Sequence, residues 1–119
     1  MDNEFNAYIH QKIQELEDSF TCSYKYKLKF LDIQKSLKKL QEEDEYNYNI
    51  FKNSTHSLSL YLKNEDGFKI KAYGFGTSRY EALDAAVKAI KNQINMIVEE
   101  NVSNKDRDYE INRARLIIH

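Results

Sequence analysis

Ser57-Leu58-Ser59-Leu60-Tyr61-Leu62-Lys63-Asn64-Glu65-Asp66-Gly67-Phe68-Lys69-Ile70-Lys71-Ala72-Tyr73 alternates apolar and polar residues on both sides of a turn. Successive side chains of a strand point to opposite faces, so strict alternation marks a strand with one buried face. Leu58, Leu60 and Leu62 supply that face on one side of the turn, and Phe68, Ile70 and Ala72 on the other. Asn64-Glu65-Asp66-Gly67 between them carries the Asp-Gly pair that favours a tight connection. An antiparallel hairpin is therefore predicted in the second half of the chain.

Upstream, Tyr24-Lys25-Tyr26-Lys27-Leu28-Lys29-Phe30 alternates in the same way and predicts a third strand. Before it, Phe5, Ile9, Ile13, Leu16 and Phe20 recur three or four residues apart, which places them along one stripe of a helix of roughly four turns. Downstream, Ser78 and Glu81 fit a capping box, in which each side chain satisfies a free N–H of the first helical turn. Ala82, Leu83, Ala86, Ile90, Ile94 and Ile97 continue that start as a long amphipathic helix, and Ala85, Ala86 and Ala89 let it lie close to the sheet.

The predicted fold class is α+β, ordered helix–strand–strand–strand–helix, with an antiparallel three-stranded sheet and both helices on one face. One domain is expected over residues 1–100, interrupted by an insertion at about 32–53 and followed by a tail at 101–119. Within the insertion, Ile33, Leu37 and Leu40 suggest a short helix, and Tyr46, Tyr48 and Ile50 an extended piece. The run Glu42-Glu43-Asp44-Glu45 reads as a solvated loop or helix face. In the tail, Leu116-Ile117-Ile118 suits either a frayed end or a segment that docks elsewhere.

Composition narrows the class. With 119 residues, 41% of them apolar, there is material for one core. The chain has no proline and three glycines, so most of it should be ordered. A single cysteine, Cys22, excludes an internal disulfide and fits a reducing compartment. No apolar run is long enough to span a bilayer, and Met1-Asp2-Asn3-Glu4 is acidic where a signal peptide would be basic. A cytoplasmic protein without a membrane partner is expected.

Catalysis finds little support. His10, His56 and His119 are scattered without metal-ligand spacing, and Cys22 has no partner that marks a nucleophile. The acidic pairs fall in surface-like runs, so the expectation is a non-enzymatic protein that needs no cofactor and no metal.

The charges are more informative than their sum of −1. If the apolar strand residues face the helices, parity puts Lys25, Lys27, Lys29, Lys63, Lys69 and Lys71 on the opposite face, with Tyr61 and Tyr73 among them. Such a face suits phosphate contact together with base stacking. Lysines on open strands also serve to prevent edge pairing, which accounts for any one of them more readily than for the whole set. Gly74-x-Gly76 before a helix could hold an anion at the helix N-terminus, but a short G-x-G is a weak signal and a bulge ending the strand is the better explanation.

The segment Gly74-Phe75-Gly76-Thr77-Ser78-Arg79-Tyr80-Glu81-Ala82-Leu83-Asp84-Ala85-Ala86-Val87-Lys88-Ala89-Ile90 resembles the third strand and second helix of double-stranded-RNA-binding domains. That family shares the helix–strand–strand–strand–helix order, and the likeness covers roughly residues 54–94. It implies RNA contact from the start of the second helix, where family lysines grip phosphates across the major groove. Here those positions read Arg79, Tyr80 and Leu83, of which Arg79 carries charge, with Lys88 further along. His56 falls about where the family places the histidine of its minor-groove loop.

Tyr80-Glu81-Ala82-Leu83-Asp84-Ala85-Ala86-Val87, with Ile13-Gln14-Glu15-Leu16-Glu17 in the first helix, is similar to ribosome hibernation-promoting factors. The strand at 26–32 and the Gly-Phe-Gly-Thr-Ser turn also look like half of the amino-acid-binding regulatory domain of isopropylmalate or citramalate synthases.

The leading expectation is association with structured RNA or the ribosome, either through Lys25, Lys27, Lys29, Lys69, Lys71 and Tyr73 or through His56, Arg79 and Lys88. The rival is a protein-interaction or homodimerisation domain, favoured by the acidic segments Glu42–Glu45 and Glu99–Glu100 if they lie near the site. An amino-acid-binding regulatory unit comes third.

Overall fold

Strand alternation, a hairpin turn and two apolar helical stripes together dictate the frame of the computed structural model, which describes residues 3–104. Helix α1 (Asn3–Phe20), strand β1 (Tyr24–Leu31), helices α2 (Ile33–Glu43) and α3 (Glu45–Phe51), strands β2 (His56–Asn64) and β3 (Lys69–Gly76) and helix α4 (Arg79–Asn104) follow in order. The strands form one antiparallel sheet in the order β1-β2-β3. The α+β frame is thus the expected one. Helix α4 runs past the expected boundary at residue 100, and Leu116-Ile117-Ile118 lies outside the described residues.

The hairpin closes as its residues require. Asn64 accepts bonds at its Oδ1 from the N–H groups of Asp66 (3.0 Å) and Phe68 (2.9 Å), and Gly67 takes the positive φ of 85° that a side chain would resist. Ser78 Oγ accepts from the Glu81 N–H at 3.2 Å, which is one half of the expected capping box, while the Glu81 carboxylate accepts from the Thr77 hydroxyl in place of a backbone N–H.

The core lies between the sheet and the pair α1 and α4. Phe5, Ile9 and Leu16 of α1 meet Leu58, Leu60 and Leu62 of β2 and Leu83 and Ile90 of α4, all at or below 2% exposure. Burying each such side chain is worth about 1.5–3 kcal/mol. Phe5 packs edge-on against Tyr80 and Tyr8 bonds to Asp84, so the two helices run side by side in the same direction.

Gly74 and Gly76 make room for a helix and do not form the expected bulge. The register between β2 and β3 is unbroken from His56↔Gly76 to Lys63↔Lys69, so no bulge ends the strand. A Cβ at either position would run into the backbone of Ala82, within 3 Å. Glycine is there because α4 presses against β3, with Ala82 and Ala86 at the contact and Ala89 packed against the core.

The insertion forms two helices, α2 and α3. Asp32 caps α2 through the N–H groups of Gln34 and Lys35, and Asp44 caps α3 through that of Asn47. The stretch from Tyr46 to Ile50 was expected to be extended and is helical instead. Its alternation has no buried face behind it: Tyr46 and Ile50 are exposed and Tyr48 is half-buried.

Candidate nucleic-acid interface

Side-chain parity and the observed register assemble the face of the sheet turned away from α1 and α4. Lys25, Lys63 and Lys69 stand opposite one another in one row, and Lys27, Tyr61 and Lys71 form the next. Lys29, Ser59 and Tyr73 follow, and Leu31, Ser57 and Phe75 end the series. Neighbouring strands are ~4.8 Å apart and alternate residues ~6.7 Å along a strand, so the six ammonium groups spring from one small rectangle.

All six lysines are exposed, and none of the positions in these rows is acidic. Among the described residues the ion pairs are those of Lys12, with Glu15 and Asp84, and no sheet lysine has a carboxylate partner. A chain of net charge −1 therefore carries a concentrated positive face. Tyr73 is 54% exposed, and the Lys71 ammonium lies 5.2 Å from its ring centroid.

The far end of this face is not open. Ser57 donates to Ser36 of α2 at 3.1 Å, and Phe51 of α3 stacks on Phe75 with ring centroids 5.0 Å apart and planes 18° from parallel. The insertion is thereby a wall beside the row of Lys29, Ser59 and Tyr73. Ser57 is buried beneath it, a position that strand alternation alone marks as solvent-facing.

The other candidate residues lie elsewhere. His56 is exposed at the start of β2, its Nδ1 2.9 Å from the Thr55 hydroxyl, and pairs with Gly76 at the end of the sheet where α4 begins. Arg79 sits there too, its guanidinium 4.8 Å from the ring centroid of Phe5 and 5.7 Å from that of Tyr80. Lys88 is exposed further along α4, beside a small hollow that Lys12, Asp84 and Lys91 also line. Lys25, Lys27, Lys29, Lys69, Lys71 and Tyr73 thus come together, while His56, Arg79 and Lys88 do not join them. Lys63 and Tyr61, from the central strand, complete the face.

The hollow between α1 and α4 holds a polar cluster of its own. Tyr8 donates to Asp84 Oδ1 at 2.6 Å, and the Lys12 ammonium is 3.6 Å from the same oxygen. The bond to the Asp84 carboxylate, helped by burial and the charge itself, holds the Tyr8 phenol above its usual range. Burial works to lower the Lys12 ammonium, but Asp84, Tyr8 and Glu15 outweigh it and the net shift is upward. The cluster pins one helix to the other. Among the described residues no group of His, Cys, Asp or Glu side chains is placed to hold a metal ion, and no helix is long and apolar enough to cross a membrane.

Comparison with known proteins finds no matching family model, no similar curated protein and no similar solved structure.

Proposed function

We propose that this protein acts by binding RNA, free or within the ribosome, through the lysine face of its sheet. The observation that carries the reading is the row Lys25, Lys63 and Lys69, three like charges in register across three strands. Like charges directly opposite one another destabilise a sheet. Solubility alone is served as well by alternating Lys with Glu, which gains cross-strand attraction. Protection of an edge does not account for Lys63 either, because β2 is paired on both sides. A polyanion that bridges the lysines resolves the repulsion, and a nucleic-acid backbone is such a polyanion.

A protein partner is the second reading. It is favoured by Tyr46 and Ile50, one helical turn apart on α3 and 76% and 55% exposed.

The test is a titration of the purified protein against duplex RNA, single-stranded RNA and duplex DNA at two salt concentrations. Salt-sensitive RNA binding that a Lys25→Glu/Lys27→Glu/Lys29→Glu variant loses and an Arg79→Glu variant keeps supports the lysine face. Binding lost only in Arg79→Glu moves the site to the start of α4. No binding to any nucleic acid at low salt rejects the RNA reading in favour of the protein partner.

A further inference from the structure

We infer that the lysine face takes an unpaired stretch of RNA, with bases stacked on Tyr73 and Tyr61 and phosphates held by the lysines around them. The inference rests on the RNA-binding reading above and specifies the state of the RNA. Tyr61 lies in the middle of the face, half-buried, with Lys27 and Lys71 opposite it on either side. Tyr73 is one step along the same face of β3 from Lys71, whose ammonium lies over its ring, and more than half of its surface is open to solvent. Aromatic rings interleaved with ammonium groups match a strand whose bases are unstacked, because each base needs a π-face and each phosphate a cation.

A duplex would use this surface poorly. Its bases are stacked inside the helix, and a rigid cylinder meets a flat sheet along a narrow strip of phosphates, leaving the tyrosines unused. The wall of α2 and α3 adds a second restriction. It covers the end of the face beyond Tyr73, where Phe51 stacks on Phe75 and Ser57 donates to Ser36, which shortens the stretch of sheet along the strands that RNA can use. The lysine rows run from Lys25 to Lys29, four residues along or ~13 Å, with Ser59 buried between Lys29 and Tyr73 in the last of them. Room of this kind suits about two or three bases, as on other sheets that stack RNA. A loop or a junction within a folded RNA presents such a stretch as readily as a free strand does.

The chain has no tryptophan, so Tyr73→Trp provides a lone reporter at the stacking position. An unstructured oligouridylate, an RNA duplex of equal length and heparin, a polyanion without bases, are the probes. The expected result is that the oligouridylate binds about tenfold more tightly than the duplex and quenches the tryptophan, whereas heparin binds without quenching. Tyr73→Ala should weaken oligouridylate binding about tenfold and leave heparin binding unchanged, and Tyr73→Phe should restore it. Equal binding of duplex and single strand, or a Tyr73→Ala variant that binds oligouridylate as the parent does, overturns the inference and leaves RNA binding standing. Failure of the parent protein to bind either RNA overturns both.

Discussion

The carbonyl oxygen of Ala82 lies 1.8 Å from where a Cβ on Gly74 would sit. Helix α4 is seated so low on β3 that the strand has no room for a side chain there, and this seating sets the depth of the core. Gly74→Ala should therefore push the helix off the sheet and destabilise the protein by about 3 kcal/mol, read as a lower urea midpoint. Gly67 makes the contrast: nothing lies within 4 Å of its missing Cβ, and only its φ of 85° resists substitution. Gly67→Ala should cost about 1 kcal/mol.

Thr21 closes α1 with a φ of 51°, a left-handed conformation that a β-branched residue adopts at a penalty. It does so because the Cys22 N–H bonds back to the Glu17 carbonyl at 3.2 Å, the pattern that glycine usually serves at a helix end. Thr21→Gly should stabilise the fold by about 1 kcal/mol and raise Tm by roughly 4 °C in calorimetry.

Burial, aided by the neighbouring Cys22 and Glu17, pushes the Tyr24 phenol up to about 12 from its ordinary 10.0. The folded state thus favours the neutral phenol. Its contribution to stability is complete below pH 10.0 and is lost as pH rises toward about 12. Unfolding free energy measured from pH 9 to pH 12 should fall less steeply in Tyr24→Phe than in the parent, whose other tyrosines and lysines set a common background.

Much of this architecture is legible in the residues. The alternation of Leu58, Leu60 and Leu62 with Ser59, Tyr61 and Lys63 fixes both a strand and its faces, so the lysine face follows from parity alone. The turn at Asn64–Gly67 and the cap at Ser78 are equally local, each decided by a few side chains that bond to nearby backbone. What is not legible depends on contacts across long separations. Ser57 and Ser36 are 21 residues apart, and nothing in either stretch announces that α2 folds over the sheet. The alternation of Tyr46, Tyr48 and Ile50 mimics a strand, but the cap at Asp44 and the stacking of Phe51 on Phe75 hold it as a helix. Arg79 carries the charge that a phosphate contact needs, yet its guanidinium lies over Phe5, a residue of the other helix.

Lys63 separates stability from binding. It stands between Lys25 and Lys69, so Lys63→Glu converts two like-charge neighbours into attractive ones. The variant should gain roughly 0.5 kcal/mol of stability and bind RNA more weakly. Thermal unfolding and a binding titration on the same sample check the two signs together, and a gain in both would argue against a binding role for this row.

The most direct test of the lysine face is the salt dependence of binding to an oligouridylate, comparing the parent with Lys27→Ala/Lys71→Ala. Each phosphate neutralised on a single strand contributes about −0.7 to the slope of log K against log salt concentration. Removing the two lysines that flank Tyr61 should flatten that slope by roughly 1.4 while the protein stays folded. An unchanged slope in the folded variant would mean that phosphates are held elsewhere, and would contradict the assignment of this face as the RNA-binding surface.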